Sequence, residues 1–344
     1  LLFRNGDTST SHEAMFWERM DGGRVKCRLC AHGCVIPDGG RGICRVRENK
    51  GGVLHTLIYG LASSAAIDPI EKKPFFHFKP GTYALSMGTV GCNFRCVHCQ
   101  NWEISQADPS TFPYLRRYDP ADVLKMARGH GLPTVSWTYN EPTVWYEFTL
   151  ECSKILKKRG IASVYVTNGY IAEDALKEHA PYLDGMNIDV KAFRDEFYRK
   201  IVGARLQPVL ETVERAHELG IHVELTYLII PTLNDSDEEI RDFVRWVCDI
   251  SPEIPVHLSR FHPDYKLTDI PPTPTKRMLR AYEIAKEEGL KYVYLGNFWD
   301  PKYESTYCPS CGAMVIERHG YIVRIKGLRG DRCAKCGARL HFVL

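Results

Sequence analysis

Along the middle of the chain, short runs of mostly apolar residues are separated by longer stretches with a helical period. The runs are "TYALSMGTV" (82–90), "PTVSWTY" (133–139), "ASVYVTNG" (162–169), "DGMNIDV" (184–190), "HVELTYLII" (222–230), "PVHLSRF" (255–261) and "KYVYLGN" (291–297). Their β-branched and aromatic content predicts strands. Between them, "DPADVLKMARGHG" (119–131) opens on an Asp cap followed by Pro and closes on Gly, the start and stop signals of a helix. "PVLETVERAHELG" (208–220) sets Val209, Val213, Ala216 and Leu219 on one stripe and ends at Gly. "DSDEEIRDFVRWVCDI" (235–250) gathers acids in its first turn, where the helix dipole favours them. "TPTKRMLRAYEIAKEEG" (273–289) repeats the pattern.

Repeated strand–helix units predict a parallel sheet with helices outside. Six or seven units close, or nearly close, into a barrel, and an open doubly wound sheet is the alternative. The expected fold class is α/β, a partial (β/α)6-type TIM barrel. No GxGxxG follows the first strand, so nothing points to a dinucleotide site. In either arrangement chemistry belongs at the C-terminal ends of the strands. Cys92, Asn140 with Glu141, Thr167 with Asn168, Asp189 with Lys191, and His262 all stand at such ends. Residues 1–80 and 301–344 break the rhythm, so a core of residues 81–300 with two small flanking regions is expected.

Composition changes this picture in one respect. The chain of 344 residues is 44% hydrophobic and 25% charged with a formal net charge of +3, ordinary for a globular enzyme and too weakly basic to argue for nucleic acid or membrane. There is no long apolar run, and the first sixteen residues do not read as an export signal. The thirteen cysteines are the exception. Eleven fall in three sets, Cys27/Cys30/Cys34/Cys44, Cys92/Cys96/Cys99 and Cys308/Cys311/Cys333/Cys336. Close pairs without an export signal favour metal sites in a reducing, cytoplasmic compartment over disulfides.

The central set has three members, in "GTVGCNFRCVHCQNWEIS" (88–105). On a helix this spacing would line up three core cysteines, but Gly91 and Asn93 favour a turn. A loop can wrap three thiolates around an iron–sulfur cluster or zinc. Zinc would need a fourth ligand such as His98, cramped between Cys96 and Cys99. A cubane on three thiolates keeps one iron open.

"CNFRCVHC" resembles the CxxxCxxC motif of radical S-adenosylmethionine (SAM) enzymes, and "HCQNWEIS" looks like the branch related to pyruvate formate-lyase activating enzyme. Over residues 20–300 the chain resembles the radical SAM proteins named for the AmmeMemoRadiSam system. The resemblance implies an oxygen-sensitive [4Fe–4S] cluster on Cys92, Cys96 and Cys99, with SAM on the open iron. Reductive cleavage would give a 5′-deoxyadenosyl radical that abstracts hydrogen from a substrate.

It implies roles for other residues too. "WTYNEPT" is similar to the family's Gly-Gly-Glu-Pro segment, with Asn140 in place of the second Gly and Glu141 as acceptor of the SAM ammonium; a surface turn is the competing reading. In "VTNGY", Asn168 falls at a ribose hydroxyl and Thr167 at the cofactor, and Val166 replaces an Asp that in related enzymes helps hold a cation. "NIDVK" looks like the family's Leu-Asp-Leu-Lys, placing Asp189 and Lys191 at the cofactor or in a plain strand-end ion pair. His98 stands where an aromatic often flanks adenine, and His262 is a further candidate near adenine or substrate.

In the flanks, "CPSCG" and "CAKCG" form a zinc-ribbon signature, with Cys308, Cys311, Cys333 and Cys336 closing a structural zinc site. The basic "RHGYIVRIKGLRG" between them reads first as a solvated hairpin face and second as an RNA or protein contact. Cys27, Cys30, Cys34 and Cys44 suit zinc or a second iron–sulfur cluster, with a closed zinc-type site preferred. The activity expected is a radical SAM oxidoreductase acting on a protein, served by a reductant such as ferredoxin or flavodoxin. Action on RNA or a small metabolite is the alternative, and a non-catalytic multi-zinc adaptor is the reading from another class.

Overall fold

The computed structural model describes residues 12–344, so the reading of the extreme N-terminus lies mostly outside the described residues. At its centre is an eight-stranded sheet of β1 (Ser64–Pro69), β2 (Tyr83–Gly88), β3 (Thr134–Trp137), β4 (Ala162–Thr167), β5 (Gly185–Asp189), β6 (His222–Ile229), β7 (Val256–Arg260) and β8 (Val293–Gly296). β1 pairs antiparallel with β2, and β2 to β8 are parallel in chain order. Every run read as a strand is present. The parallel set is one longer than a six-unit barrel.

The unbroken order decides between the two architectures. A doubly wound sheet reverses its strand order at a switch point. Here each crossover adds the next strand to the same edge, as right-handed units of a barrel do. The edge strands β1 and β8 are not paired to each other, so the barrel is partial. β3 is buried at every position and β5 at all but its last, as expected of strands covered on both faces.

The helices form where their caps lie. α1 (Pro120–Gly129) starts with Asp119 and Asp122 in a reciprocal capping pair. α2 (Tyr146–Lys157) and α3 (Glu173–His179) follow β3 and β4. α4 (Gln207–Glu218) buries Val209, Val213 and Ala216, but Leu219 is exposed, because it lies past the helix end where the stripe no longer faces the sheet. α5 (Asp237–Ile250) is capped by Ser236, whose side chain accepts from the Glu239 N–H, and α6 (Thr275–Glu287) precedes β8.

The N-terminal region is a set of very short antiparallel strands, among them Val25–Cys27 and Arg47–Lys50. Its apolar residues Val25, Leu29, Val46 and Leu54 belong to the same continuous core as the barrel. It is fastened by a buried ion pair: the Arg47 guanidinium meets the Glu147 carboxylate of α2, which also accepts from the Met15 N–H at 2.7 Å. The C-terminal region has a small core of its own around Cys308, Val315, Ile316, Cys333 and Leu340. It docks through Arg318, fully buried, which donates to the Phe76 carbonyl at 2.7 Å and to Thr306 Oγ1 at 2.7 Å. Among the described residues no helix is long and apolar enough to cross a membrane.

Candidate active site

All three central cysteines lie on the loop that leaves β2, at the C-terminal mouth of the barrel. The loop has no regular structure until Trp102, which removes the reading of a core-facing helical stripe. Gly91 takes a φ of +87°, and a Cβ there would lie 2.6 Å from Val46 Cγ1 and 2.8 Å from the Cys44 carbonyl. The turn therefore needs glycine for its conformation and for the close approach. Residues 95 and 97 hang from the segment after β5, with Arg95 N–H to the Val202 carbonyl at 2.8 Å and Val97 N–H to that of Ile201 at 3.1 Å. Cys92 Sγ accepts from the Phe94 N–H at 3.3 Å.

The residues after β3 and β4 brace this loop. Asn140 Oδ1 accepts from the Thr89 N–H at 3.0 Å and its Nδ2 donates to the Gly91 carbonyl at 2.8 Å. Its amide thus clamps the turn before Cys92. Asn168 donates through Nδ2 to Asn93 Oδ1 at 2.8 Å and accepts the Tyr170 N–H at 3.0 Å. Glu141 is buried and accepts three hydrogen bonds, from the Thr143 N–H at 2.9 Å, Thr167 Oγ1 at 2.7 Å and the Asn168 N–H at 2.8 Å. Burial still pushes its carboxyl above the usual range. A cation beside it would relieve that cost.

Asp189 and Lys191 form an ion pair at 2.8 Å at the end of β5. The Lys191 charge also acts on Cys96. His98 is buried, its Nδ1 lacks a partner and burial lowers its pKa to about 3, so the ring is a neutral imidazole with an open polar atom. His262 is exposed and contacts Gln100 at 2.9 Å. Cys92, His98, Glu141, Asn168 and Lys191 are therefore gathered at one mouth, with His262 at its rim.

Sequence reasoning missed the cavity beside this mouth. About 260 Å³ in volume, it is lined by Gln100, Thr226, His257 and Ser259 and walled by Glu71, Lys72, Trp299, Glu304 and Tyr321. Glu71 Oε1 accepts from the Gly81 N–H at 2.8 Å, and its buried Oε2 has no partner. Beneath it Glu224 is held by His222 at 3.0 Å and His257 at 2.7 Å. Burial opposes that charge, but the two histidines outweigh it and keep the carboxyl well below the usual range. The signal was present: polar residues recur at alternate positions in "HVELTYLII" and "PVHLSRF", the period of one strand face.

Comparison with known proteins decides the family. The model of the radical SAM superfamily matches residues 87–247. An uncharacterised protein of Methanocaldococcus jannaschii is 48% identical over 96% of this chain and 99% of its own length. The chain belongs to the radical SAM superfamily. The pyruvate formate-lyase-activating enzyme of Clostridium pasteurianum is 26% identical over 57% of this chain and 87% of its own. Among solved structures, Streptococcus suis SuiB bound to S-adenosylmethionine matches with a TM-score of 0.48 at 15% identity, covering 60% of this chain and 48% of that one.

The superfamily implies a [4Fe–4S] cluster and SAM, and the donor set fits them. Burial pushes Cys92 well above its ordinary pKa and Cys96 up to about 12. Such thiols become thiolates only beside a compensating cation. All thirteen cysteines are free thiols. In the C-terminal set the sulfurs of Cys308 and Cys336, and those of Cys311 and Cys333, are 3.7 Å apart. Among the described residues this is the one group of three or more such donors whose ligand atoms all lie within 4.8 Å of one another. Gly312 and Gly337, after the second cysteine of each knuckle, have φ of +70° and +74°, as the turn requires. In the intervening basic stretch Arg318 is turned inward and Gly320 and Tyr321 face the cavity.

Proposed function

We propose that the chain is a radical SAM oxidoreductase whose Cys92, Cys96 and Cys99 hold a [4Fe–4S] cluster with one iron left for SAM, and that a substrate in the adjoining cavity gives up a hydrogen atom. When bound, these groups supply reductive cleavage of the sulfonium to a 5′-deoxyadenosyl radical. The observation that carries this reading is the count of thiols at the mouth. The loop brings three and no fourth, whereas the C-terminal knuckles bring four at the spacing of a closed zinc site.

The chain's own residues bind and orient. Glu141 is a carboxylate held in place by three donors and suited to the SAM ammonium. His98 offers an unpartnered Nδ1 beside the loop. Lys191, paired to Asp189, sets positive charge near Cys96. Asn140, Thr167 and Asn168 act through their neighbours, since their polar groups are engaged within the protein. The C-terminal zinc ribbon walls the cavity and excludes water from the radical.

The activating-enzyme relatives favour a protein substrate. The cavity favours a narrower form of that reading, or a small metabolite. About 260 Å³ lined by Glu71, Lys72 and His257 suits one side chain, one loop tip or a small polar molecule. The electron comes from a low-potential donor of the ferredoxin or flavodoxin kind in the cytoplasm.

The test is anaerobic reconstitution, reduction with dithionite and addition of SAM. 5′-Deoxyadenosine and methionine should form together and be lost in Cys96→Ala. An absence of iron–sulfur absorbance and of SAM cleavage in the wild type would overturn the proposal.

A further inference from the structure

The two four-cysteine sets differ in a way the sequence does not reveal. The C-terminal sulfurs sit 3.7 Å apart in pairs, the edge of a tetrahedron around a single ion with bonds of about 2.3 Å. Cys27, Cys30, Cys34 and Cys44 do not contract to that spacing. No three of them bring their sulfurs within 4.8 Å of one another. They instead line a common cavity. A cubane keeps its thiolates farther apart than a single ion does, because each sulfur binds a different iron.

One cation lines the same cavity. Arg47 Nη1 lies 3.5 Å from Cys27 Sγ. A second observation is independent of the cysteines. Asn93 lines the same cavity, is 1% exposed, and its Nδ2 has no partner. Its Oδ1 is taken by Asn168 and its carbonyl by His32 Nε2 at 2.8 Å, so its Nδ2 is left over for a ligand, as are Arg47 Nε and Thr143 Oγ1 of the same cavity. A cluster sulfide or thiolate is an acceptor of the right kind.

Position adds a third argument. Asn93 follows Cys92 directly, and Thr143 and Val144 of the same cavity follow Glu141. The N-terminal cavity and the central loop thus share a wall. Zinc is redox-inert, whereas iron clusters exchange electrons, and this is where an exchange partner for the central site would stand.

We propose that Cys27, Cys30, Cys34 and Cys44 hold a second [4Fe–4S] cluster, ligated by all four thiolates, and not zinc. The argument from position rests on the proposed central site, and the arguments from sulfur spacing and from Asn93 do not. Metal analysis of anaerobically reconstituted protein tests it. Wild type should carry about eight iron and about one zinc per chain. The Cys92→Ala/Cys96→Ala/Cys99→Ala variant should keep about four iron, with cluster absorbance. About four iron and two zinc in the wild type, with no iron in that triple variant, would overturn the proposal. Failure of the central reading gives a different pattern: about four iron in the wild type, unchanged in the triple variant and lost in Cys30→Ala/Cys34→Ala.

Discussion

Single residues at this mouth divide into those that face it and those that hold it. His98 keeps an unpartnered Nδ1 and Glu141 a carboxylate with lone pairs beyond its three accepted bonds, while Asn140 and Asn168 are committed to the backbone and side chains of the cysteine loop. Sequence could place both kinds at strand ends but could not separate them, because an amide that clamps a loop and one that binds a ribose are the same residue type. The Arg47–Glu147 pair was not legible at all. Its partners are a hundred positions apart and each looks like a surface charge. Both side chains are almost fully buried, so Glu147→Ala should cost about 3–5 kcal/mol in chemical denaturation by leaving Arg47 uncompensated. Replacing both by apolar residues of similar size should recover most of that loss.

At the scale of elements, strand and helix identity was well marked, since β-branched runs and capped helices alternate over the whole core. The N-terminal strands are too short for any period to register, and Leu219 shows where a stripe misleads at a helix end. The loop after β2 is the element on which the chemistry depends. Gly91→Ala combines a left-handed φ with contacts under 3 Å to Val46 and Cys44, and backbone strain alone costs about 1–3 kcal/mol. SAM cleavage should fall by about a hundredfold, as for any small displacement of a reacting group. Unchanged turnover would mean that the loop tolerates rearrangement. The C-terminal element has a core too small to stand alone, so metal should hold it together. Chelation should expose residues 306–344 to limited proteolysis while the helical circular dichroism of the barrel persists. Continued protection after metal removal would show that Arg318 and its neighbours suffice.

The whole molecule is a partial barrel with a flank docked on it at each end of the chain, and its stability should carry an acid signature. His179 is buried between α2 and β4, with Tyr165 Oη and Ser153 Oγ each at 3.2 Å, and burial lowers its pKa to about 3. In the unfolded chain the value returns to about 6.5. Below that pH the unfolded state takes a proton that the folded state refuses, so stability is full above about 6.5 and falls toward pH 3, by about 1.4 kcal/mol per unit for one such group. The stability advantage of wild type over His179→Gln should shrink at that rate between pH 6 and pH 5. An advantage independent of pH would show that the folded protein protonates this ring. Glu224, held low by His222 and His257, adds an acid sensitivity of the same sign only below the ordinary carboxylate range.

The central claim is that the place left by a fourth cysteine at Cys92, Cys96 and Cys99 belongs to SAM. Electron–nuclear double resonance on the reduced protein with SAM labelled with ¹⁵N at the amino group and ¹⁷O at the carboxylate measures this directly. Hyperfine coupling of both labels to the cluster, absent in Cys96→Ala, is the result this account requires. A reduced cluster in the wild type that shows no coupling to either label would contradict it.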